Sequence, residues 1–321
     1  MKRRDVLALL ACAAIPSPGL RAQSARTYRI LWLSTESQPD PFIDGFREGL
    51  RSQGLIEGQH VVLELRYAPG NPAGLQPVLA EPARGPFDLL VSSGPAIRST
   101  RLTKDLTVLF AISGDPIELG IAKSLARPGG NFTGATFLSL DLAAKRVELF
   151  KELLPDLRKL AVLSNTDHPG EGSEWRATQA AAGALGLELA YAPFAGGGEV
   201  DRGLAAVRAA NADAMLIFPD GVTLAHRAKI AGFAITHKLA SMFGWSEYCD
   251  AGGLMCYGAN QRDTYVRLAG YAARLLRGEK AADLPIEQPT RFELAVNLNS
   301  AKALGLALSP TFLARADKVI E

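Results

Sequence analysis

The sequence predicts an α/β protein built from two doubly wound parallel-sheet lobes. Two observations lead to this fold class: short apolar runs alternate with amphipathic segments along most of the chain, and 321 residues are too many for one such lobe. Hydrophobic residues make up 48% and charged residues 21% of the chain, which is typical of a globular protein with a sizeable core. Whole-chain disorder and coiled coil are thereby excluded.

Several apolar runs have the length of central strands that helices cover on both faces. They span residues 30–33, 87–91, 107–111, 160–163, 214–218 and 254–257, and a later strand is predicted over 292–298. Residues 61–67 alternate between apolar and charged side chains instead, which predicts a strand nearer a sheet edge.

Amphipathic segments between these runs predict helices. Phe42, Phe46 and Leu50 recur every four residues, and similar stripes cover residues 143–154 and 263–277. Residues 278–289, which are rich in glycine, proline and charge, indicate a connecting segment, and residues 310–320 are expected to form a terminal helix.

The first 22 residues have the pattern of an export signal. A basic start precedes an apolar run from Val6 to Ile15, which is too short to span a bilayer. Arg3 and Arg4 favour a twin-arginine signal over an ordinary secretory leader, and the lipobox that ends at Cys12 is weak. The sequence therefore predicts an exported protein.

The charge balance indicates no nucleic-acid or acidic-membrane partner. The 35 basic and 33 acidic residues give a net charge of +2. Four of the basic residues and one acidic residue precede Gln23, so the chain without its leader carries −1.

Cysteine and histidine usage predicts neither a metal site nor a cofactor. Loss of the leader leaves Cys249 and Cys256, and export permits a disulfide between them. The spacing alone does not supply disulfide geometry, so we expect two separate small apolar side chains. The four histidines show no metal-ligand spacing.

Ligands of open α/β sheets bind beyond the carboxyl ends of the strands. The residues at those positions are small, hydroxylic, acidic or aromatic, which predicts a small polar ligand with an apolar part. The candidate contacts are Thr35, Phe42, Ser93, Gly94, Ala96, Asp115, Asn165, Asp220, Trp245 and Tyr257.

These candidates suggest a division of roles. Ser93 and the N–H groups near Ala96 would hold a ligand carboxylate at a helix N-terminus. Asp220 would accept a hydrogen bond from a ligand amine, and Trp245 or Phe42 would cover the apolar part. An equally good alternative makes Asp220 a plain helix cap.

Known enzyme signatures are missing from the sequence. No strand is followed by Gly-x-Gly-x-x-Gly, no Walker motif occurs, and residues 244–246 lack the second glycine of a nucleophile elbow. A Rossmann-type enzyme and a ligand sensor for a membrane-bound receptor remain as alternatives to a solute-binding protein.

Motifs along the whole mature chain carry a family resemblance. They are GDPIELG at 114–120, SLARPGGNFTG at 124–134, LLP at 153–155, AVL at 161–163, AGGLM at 251–255, ADLP at 282–285, QPT at 288–290, AKALGL at 301–306 and LARAD at 313–317. In this order they resemble the ABC-transporter substrate-binding proteins of the tryptophan/tyrosine-transporter type. Two positions depart from the family pattern: Gly94 stands where threonine or serine is usual, and Thr166 replaces the proline that follows Asn165.

The resemblance implies a type I periplasmic-binding-protein fold, whose two lobes are joined by a multi-crossover hinge and enclose the ligand. It implies an N-terminal lobe of residues 27–139 and 259–281 and a C-terminal lobe of residues 140–258 and 282–321. It further implies a periplasmic monomer that delivers a small ligand to the membrane subunits of an ABC permease without catalysing a reaction.

Overall fold

Strands and helices alternate through two sheets in the computed structural model, which describes residues 26–36, 38, 40–69, 71–80, 86–101, 103–137 and 140–321. The predicted leader, residues 1–22, lies outside the described residues. In the described part of the chain, no helix combines the length and apolar character needed to cross a bilayer.

The first sheet is parallel throughout, with the strand order β2-β1-β3-β4-β5. Its elements are β1 (Tyr28–Ser34), α1 (Pro41–Ser52), β2 (Val61–Tyr67), α2 (Gln76–Ala80), β3 (Leu89–Ser93), α3 (Ile97–Thr100), β4 (Val108–Ile112) and β5 (Phe132–Thr136). Strand β2 lies at the sheet edge, as its alternating pattern predicts.

The second sheet repeats this winding over the order β7-β6-β8-β9-β10 and then adds β11, antiparallel to β10, and β12. The elements that follow β5 along the chain are α4 (Leu140–Leu153), β6 (Lys159–Asn165), α5 (Glu171–Ala184), β7 (Glu188–Phe194), α6 (Val200–Ala209), β8 (Ala214–Ile217), α7 (Gly221–Ala225), α8 (Arg227–Thr236), β9 (Ala240–Phe243), α9 (Ser246–Asp250), β10 (Met255–Ala259), α10 (Gln261–Leu276), β11 (Phe292–Asn297), α11 (Leu298–Leu304), α12 (Pro310–Leu313) and β12 (Lys318–Ile320).

Both faces of each central strand are buried, which explains the continuous apolar runs. On β1, Ile30 and Trp32 pack into one hydrophobic cluster, and Leu31 and Leu33 pack into another on the opposite face. This two-sided burial is what a doubly wound sheet requires. The predicted α/β fold with two parallel-sheet lobes is therefore confirmed.

The connections between the lobes use three crossings in the described part of the chain: between β5 and α4, between β10 and α10, and before β11. Helix α10 returns to the first lobe and packs against α1, where a Cβ at Gly49 would lie 2.3 Å from the carbonyl oxygen of Val266. The segment after α10 also stays with the first lobe, because the Glu287 N–H donates to Gly134 and the Ile286 N–H donates to Leu125. These contacts favour a crossing after Glu287 rather than at residue 282.

Two sequence-based expectations are wrong. Cys249 and Cys256 form a disulfide, because α9 and β10 bring their Cα atoms to 6.2 Å. The expected terminal helix ends at Leu313, and Lys318–Ile320 pair with β11 as a parallel strand. Pairing with an existing sheet edge, which no local pattern reveals, decides the conformation of that last segment.

Besides β12, the strands β5, β7 and β9 fall outside the predicted runs. Residues 132–136 read Phe-Thr-Gly-Ala-Thr and are too polar to stand out as a buried strand, although the structure buries all five. Strand β7 lies at the edge of the second sheet, so only part of it needs apolar side chains.

Candidate functional site

Each sheet has a point where neighbouring connections leave in opposite directions, between β1 and β3 in the first lobe and between β6 and β8 in the second. Such points open a crevice at the carboxyl ends of the strands. Ser34 and Ser93 end the two strands of the first lobe; Asn165 ends β6, and Asp220 follows β8. The two crevices therefore face each other, one from each lobe.

A cavity of about 310 Å³ lies between the lobes at this place. Its lining residues are Glu36, Phe42, Ser93, Gly94, Pro95, Ala111, Ser113, Phe137, Pro169, Asp220, Gly221, Trp245, Gln261 and Tyr265.

Five of the ten sequence-predicted contacts line this cavity: Phe42, Ser93, Gly94, Asp220 and Trp245. The other five, Thr35, Ala96, Asp115, Asn165 and Tyr257, do not line it. Position after a strand brings a residue to the correct edge of the sheet, but the direction of its side chain depends on the loop that follows.

The five remaining residues have structural surroundings of their own. Ala96 is buried in the first-lobe core, and the Thr35 hydroxyl is buried with no hydrogen-bond partner among the described residues. The Asp115 carboxylate accepts from the Ile117 N–H at 2.7 Å and fixes a turn. The Tyr257 ring packs against Phe292, with 6.2 Å between centroids.

Asn165 acts on the cavity through Asp220. Its side-chain amide donates to the Asp220 carboxylate, and its own carbonyl oxygen accepts from the backbone N–H groups of Asp167 and Gly196. Three hydrogen bonds thus fix the Asn165 side chain and, with it, one oxygen of Asp220.

Asp220 combines the two roles that the sequence left open. It caps α7, because its Oδ1 accepts from the Thr223 N–H at 2.6 Å and the Thr223 hydroxyl accepts from the Asp220 N–H at 3.1 Å. It also lines the cavity while only 3% exposed. Burial raises the pKa of Asp220, and nearby His168 together with these hydrogen bonds opposes that rise.

Glu36, which the sequence analysis did not select, faces Asp220 from the other lobe. A Cβ at Gly221 would lie 1.4 Å from the Glu36 Oε1, so the carboxylate lies directly against the α7 backbone. No described residue donates a hydrogen bond to this carboxylate. Burial raises the pKa of Glu36 well above its usual value, and the nearby carboxylates of Asp40 and Asp220 raise it further, whereas Arg227 lowers it.

Gln261, at the start of α10, is another polar lining residue that the sequence analysis did not select, as are Ser113 and Tyr265. It is 1% exposed and lines the cavity, and neither its amide nitrogen nor its carbonyl oxygen has a hydrogen-bond partner among the described residues. A buried amide without partners is destabilising. The available signal was its position directly after Asn260, which caps the helix that follows β10.

Aromatic rings from both lobes form the apolar wall. Phe42 stacks on Tyr265 with 4.8 Å between centroids, and Trp245 meets Phe42 edge-on at 6.2 Å. Phe137 also contacts Trp245, at 6.3 Å. A ligand with a ring or an aliphatic chain would therefore meet apolar surface from each lobe.

The first-lobe loop after β3 departs from a simple helix cap. Gly94 has a φ of +55°, a left-handed conformation that favours glycine over the usual threonine or serine. The Ser93 hydroxyl forms no cap and instead shares a 2.6 Å hydrogen bond with the Tyr265 hydroxyl. The predicted carboxylate-holding hydroxyl is thus already paired with a ring hydroxyl.

A second cavity, also of about 310 Å³, adjoins the first and shares Ser113, Phe137 and Trp245 with it. It contains the buried guanidinium of Arg146, which binds the Glu174 carboxylate at 2.7 Å. Among the residues that the structure describes, the only basic side chain lining either cavity is therefore already neutralised.

The two lobes touch each other along the cleft. The Arg98 guanidinium donates to the carbonyl of Asp167, and the Ser173 hydroxyl donates to the Glu118 carboxylate at 2.7 Å. A Cβ at Gly170 would lie 1.9 Å from the carbonyl oxygen of Ser113. The structure therefore has the lobes in direct contact around the cavity.

Comparison with known proteins identifies relatives of this architecture. The model of the family described as ABC transporter substrate binding protein matches residues 33–320. A curated tyrosine-binding protein from Clostridioides difficile is 23% identical over 265 residues, which is 82% of this chain and 76% of that protein.

Solved structures share the fold. The ABC domain from Streptococcus pneumoniae in complex with L-Trp aligns with a TM-score of 0.84 and 24% identity, over 92% of this chain and all of that one. A ligand-free, open substrate binding protein with adhesive properties from Clostridium difficile aligns with a TM-score of 0.63 and 22% identity, over 92% of this chain and 99% of that one.

Proposed function

Since the chain belongs to the ABC transporter substrate binding protein family, we propose that it is an exported solute-binding protein that encloses an amino-acid-like ligand between its lobes. The proposal involves capture, release to the membrane subunits of an ABC permease, and no covalent step. The observation that carries it is the cavity where both sheets present their carboxyl ends, with two facing carboxylates and an aromatic wall.

The ligand amine would lie between Asp220 and Glu36. Both are buried acids that come from opposite lobes, and a single ammonium group between them would donate hydrogen bonds to both and offset one negative charge. Asn165 would position Asp220 for this contact. The tyrosine named for the Clostridioides relative and the L-Trp named for the streptococcal structure both carry such an amine.

The other groups of the ligand would contact neutral hydrogen-bond donors and aromatic rings of the cavity. The paired hydroxyls of Ser93 and Tyr265, together with the unpartnered Gln261 amide, would hydrogen-bond a ligand carboxylate. Phe42 and Trp245 would contact the apolar part.

The Asp220→Asn variant tests this function. Asparagine is as good a helix cap as aspartate, so the change removes the charge and keeps α7. A charged hydrogen bond contributes about 1.5 to 3 kcal/mol, so we expect affinity for L-tyrosine or L-tryptophan to fall about 10-fold or more. Calorimetry measures this, with Asp201→Asn as the matched control, because Asp201 is an exposed residue of α6.

A panel of amino acids and related amines in a thermal-shift assay tests the ligand class itself. A ligand present at about 100 times its Kd adds about 2.7 kcal/mol to the free energy of unfolding, which gives a clear shift. If no amino acid or amine shifts the unfolding midpoint, the proposed function is wrong.

The cellular part of the proposal is a periplasmic monomer exported through the twin-arginine route. Support comes from the family and from the residues before Gln23. We expect the double variant Arg3→Lys, Arg4→Lys to leave the protein in the cytoplasm in a fractionation experiment. Export of the double variant at the parental level would instead indicate an ordinary secretory leader.

A further inference from the structure

The acidic lining of the cavity bears on whether the ligand is an amino acid or an amine without a carboxylate. Glu36 and Asp220 both line it, and among its described lining residues none is basic. Asp40, which caps α1 next to Glu36, adds a third buried carboxylate close by. Acidic side chains therefore outnumber basic ones in a water-poor space, where an ammonium group would interact strongly with them.

None of the hydrogen bonds that the described residues donate to Asp220 or Glu36 comes from a cationic side chain. Asp220 accepts from a backbone N–H and from the amide of Asn165, which are both neutral donors. Within the described chain, the Glu36 carboxylate receives no hydrogen bond. Arg227 is near enough to lower the pKa of Glu36 but does not line the cavity.

The neighbouring cavity does not supply a free cation either. The Arg146 guanidinium is bound to the Glu174 carboxylate at 2.7 Å and to the carbonyl of Tyr257 at 2.9 Å. A ligand carboxylate that reached it would compete with an existing buried ion pair, and breaking such a pair is strongly unfavourable.

A zwitterionic amino acid brings no net charge to this site, whereas a monoamine brings one positive charge. The carboxylate of an amino acid would enter a space that already holds two acids and would meet only neutral donors. The aromatic wall suits a ligand that carries a ring.

We propose that the preferred ligand is a primary amine that bears an aromatic or aliphatic group and no carboxylate, held by Glu36 from one lobe and Asp220 from the other. This inference rests on the proposed function, because it assigns the ligand class of the same site. Amino acids would be weaker ligands, because the neutral donors Ser93, Tyr265 and Gln261 would offset only part of the repulsion between the ligand carboxylate and the two acids.

Matched pairs of ligands test the inference by calorimetry on the mature chain. The probes are tryptamine against L-tryptophan, tyramine against L-tyrosine, and 3-(indol-3-yl)propionate as a carboxylate without an amine. We expect each amine to bind about 10-fold more tightly than its amino acid, because like charges in such a site repel. The propionate should not bind.

The variant Glu36→Gln tests whether Glu36 sets this preference, because glutamine keeps the shape of the side chain and removes its negative charge. We expect the amine-to-amino-acid affinity ratio to fall about 10-fold or more, because the new amide can donate to a ligand carboxylate. Glu148→Gln is the control, because the Glu148 side chain is exposed on α4, and it should leave the ratio unchanged. A loss of folded protein would lower both apparent affinities by the same factor and would therefore leave their ratio unchanged.

The outcomes separate this inference from the proposed function. Tighter binding of the amino acids than of the amines, or an unchanged ratio in Glu36→Gln, would overturn the inference and leave the solute-binding function standing. Binding of neither amines nor amino acids would overturn both.

Discussion

Gly170→Ala should hinder closure of the lobes without changing any residue that lines the cavity. Gly170 precedes α5 in the second lobe and does not line the cavity. Its φ of −98° and ψ of 5° are open to alanine, so the substitution introduces no backbone strain. The severe obstacle is across the cleft, where the new Cβ would lie 1.9 Å from the Ser113 carbonyl oxygen; within its own lobe it would lie 3.1 Å from the His168 ring, a contact that a small local shift relieves.

The size of the effect follows from that distance. Ordinary contact begins at 3.4 Å, so the lobes must separate by about 1.5 Å at this point. Local adjustment is restricted, because the Gly170 N–H donates to His168 at 2.8 Å and its carbonyl accepts from Glu174 at 3.0 Å. A separation of that size breaks hydrogen bonds from one lobe to a bound ligand.

We expect the affinity of Gly170→Ala for tyramine or L-tyrosine to fall about 10-fold or more, which corresponds to the loss of at least one charged hydrogen bond. The thermal unfolding midpoint of the ligand-free protein should change little, because the open arrangement accommodates the methyl group. Calorimetry and a thermal melt measure the two quantities.

Gly172→Ala, two residues further along, is the matched control. Its new Cβ would meet only the Arg176 guanidinium, at 3.4 Å. Affinity should stay at the parental value in this variant. Parental affinity in Gly170→Ala as well would refute the reasoning, because it would show that the bound state does not need the contact between Gly170 and Ser113.

Further predictions concern charge, packing and motion. Burial raises the pKa of Glu36 above its unfolded value of 4.5, so the parent loses stability as pH rises from that value through the folded pKa. Glu36→Gln should therefore have a higher melting midpoint than the parent at about pH 8, and the difference should shrink at about pH 5. A difference that does not change with pH would contradict this. Gln261→Met should raise the melting midpoint of the ligand-free protein by removing an unpartnered buried amide and should weaken L-tryptophan binding; a lower midpoint would contradict the first part. Replacing both Cys249 and Cys256 by alanine should lower the free energy of unfolding by about 2 kcal/mol or more in chemical denaturation, and an unchanged value would show that the disulfide does not constrain the unfolded chain. Small-angle scattering should show a smaller radius of gyration with saturating tyramine than without it, and equal radii would argue against lobe closure.

The sequence by itself determined the class of fold and the edges of the sheets that carry the site. Continuous apolar runs such as residues 30–33 can be satisfied only by burial on both faces, and the alternation of residues 61–67 only by a strand near an edge. Because parallel strands all end at one edge, positions such as Ser93 and Asp220 followed directly from strand order along the chain.

The tertiary structure decided which of those positions meet and what faces them. Glu36 and Asp220 are far apart in sequence and come together only because two lobes close on each other. The disulfide and the β12 strand likewise depend on contacts across the sheet rather than on local pattern. Local spacing fixes which face of an element is buried, whereas the direction of one side chain after a strand depends on the loop and on the lobe opposite. That is the physical reason why the sequence could place the site at a sheet edge but could not single out Glu36 and Gln261.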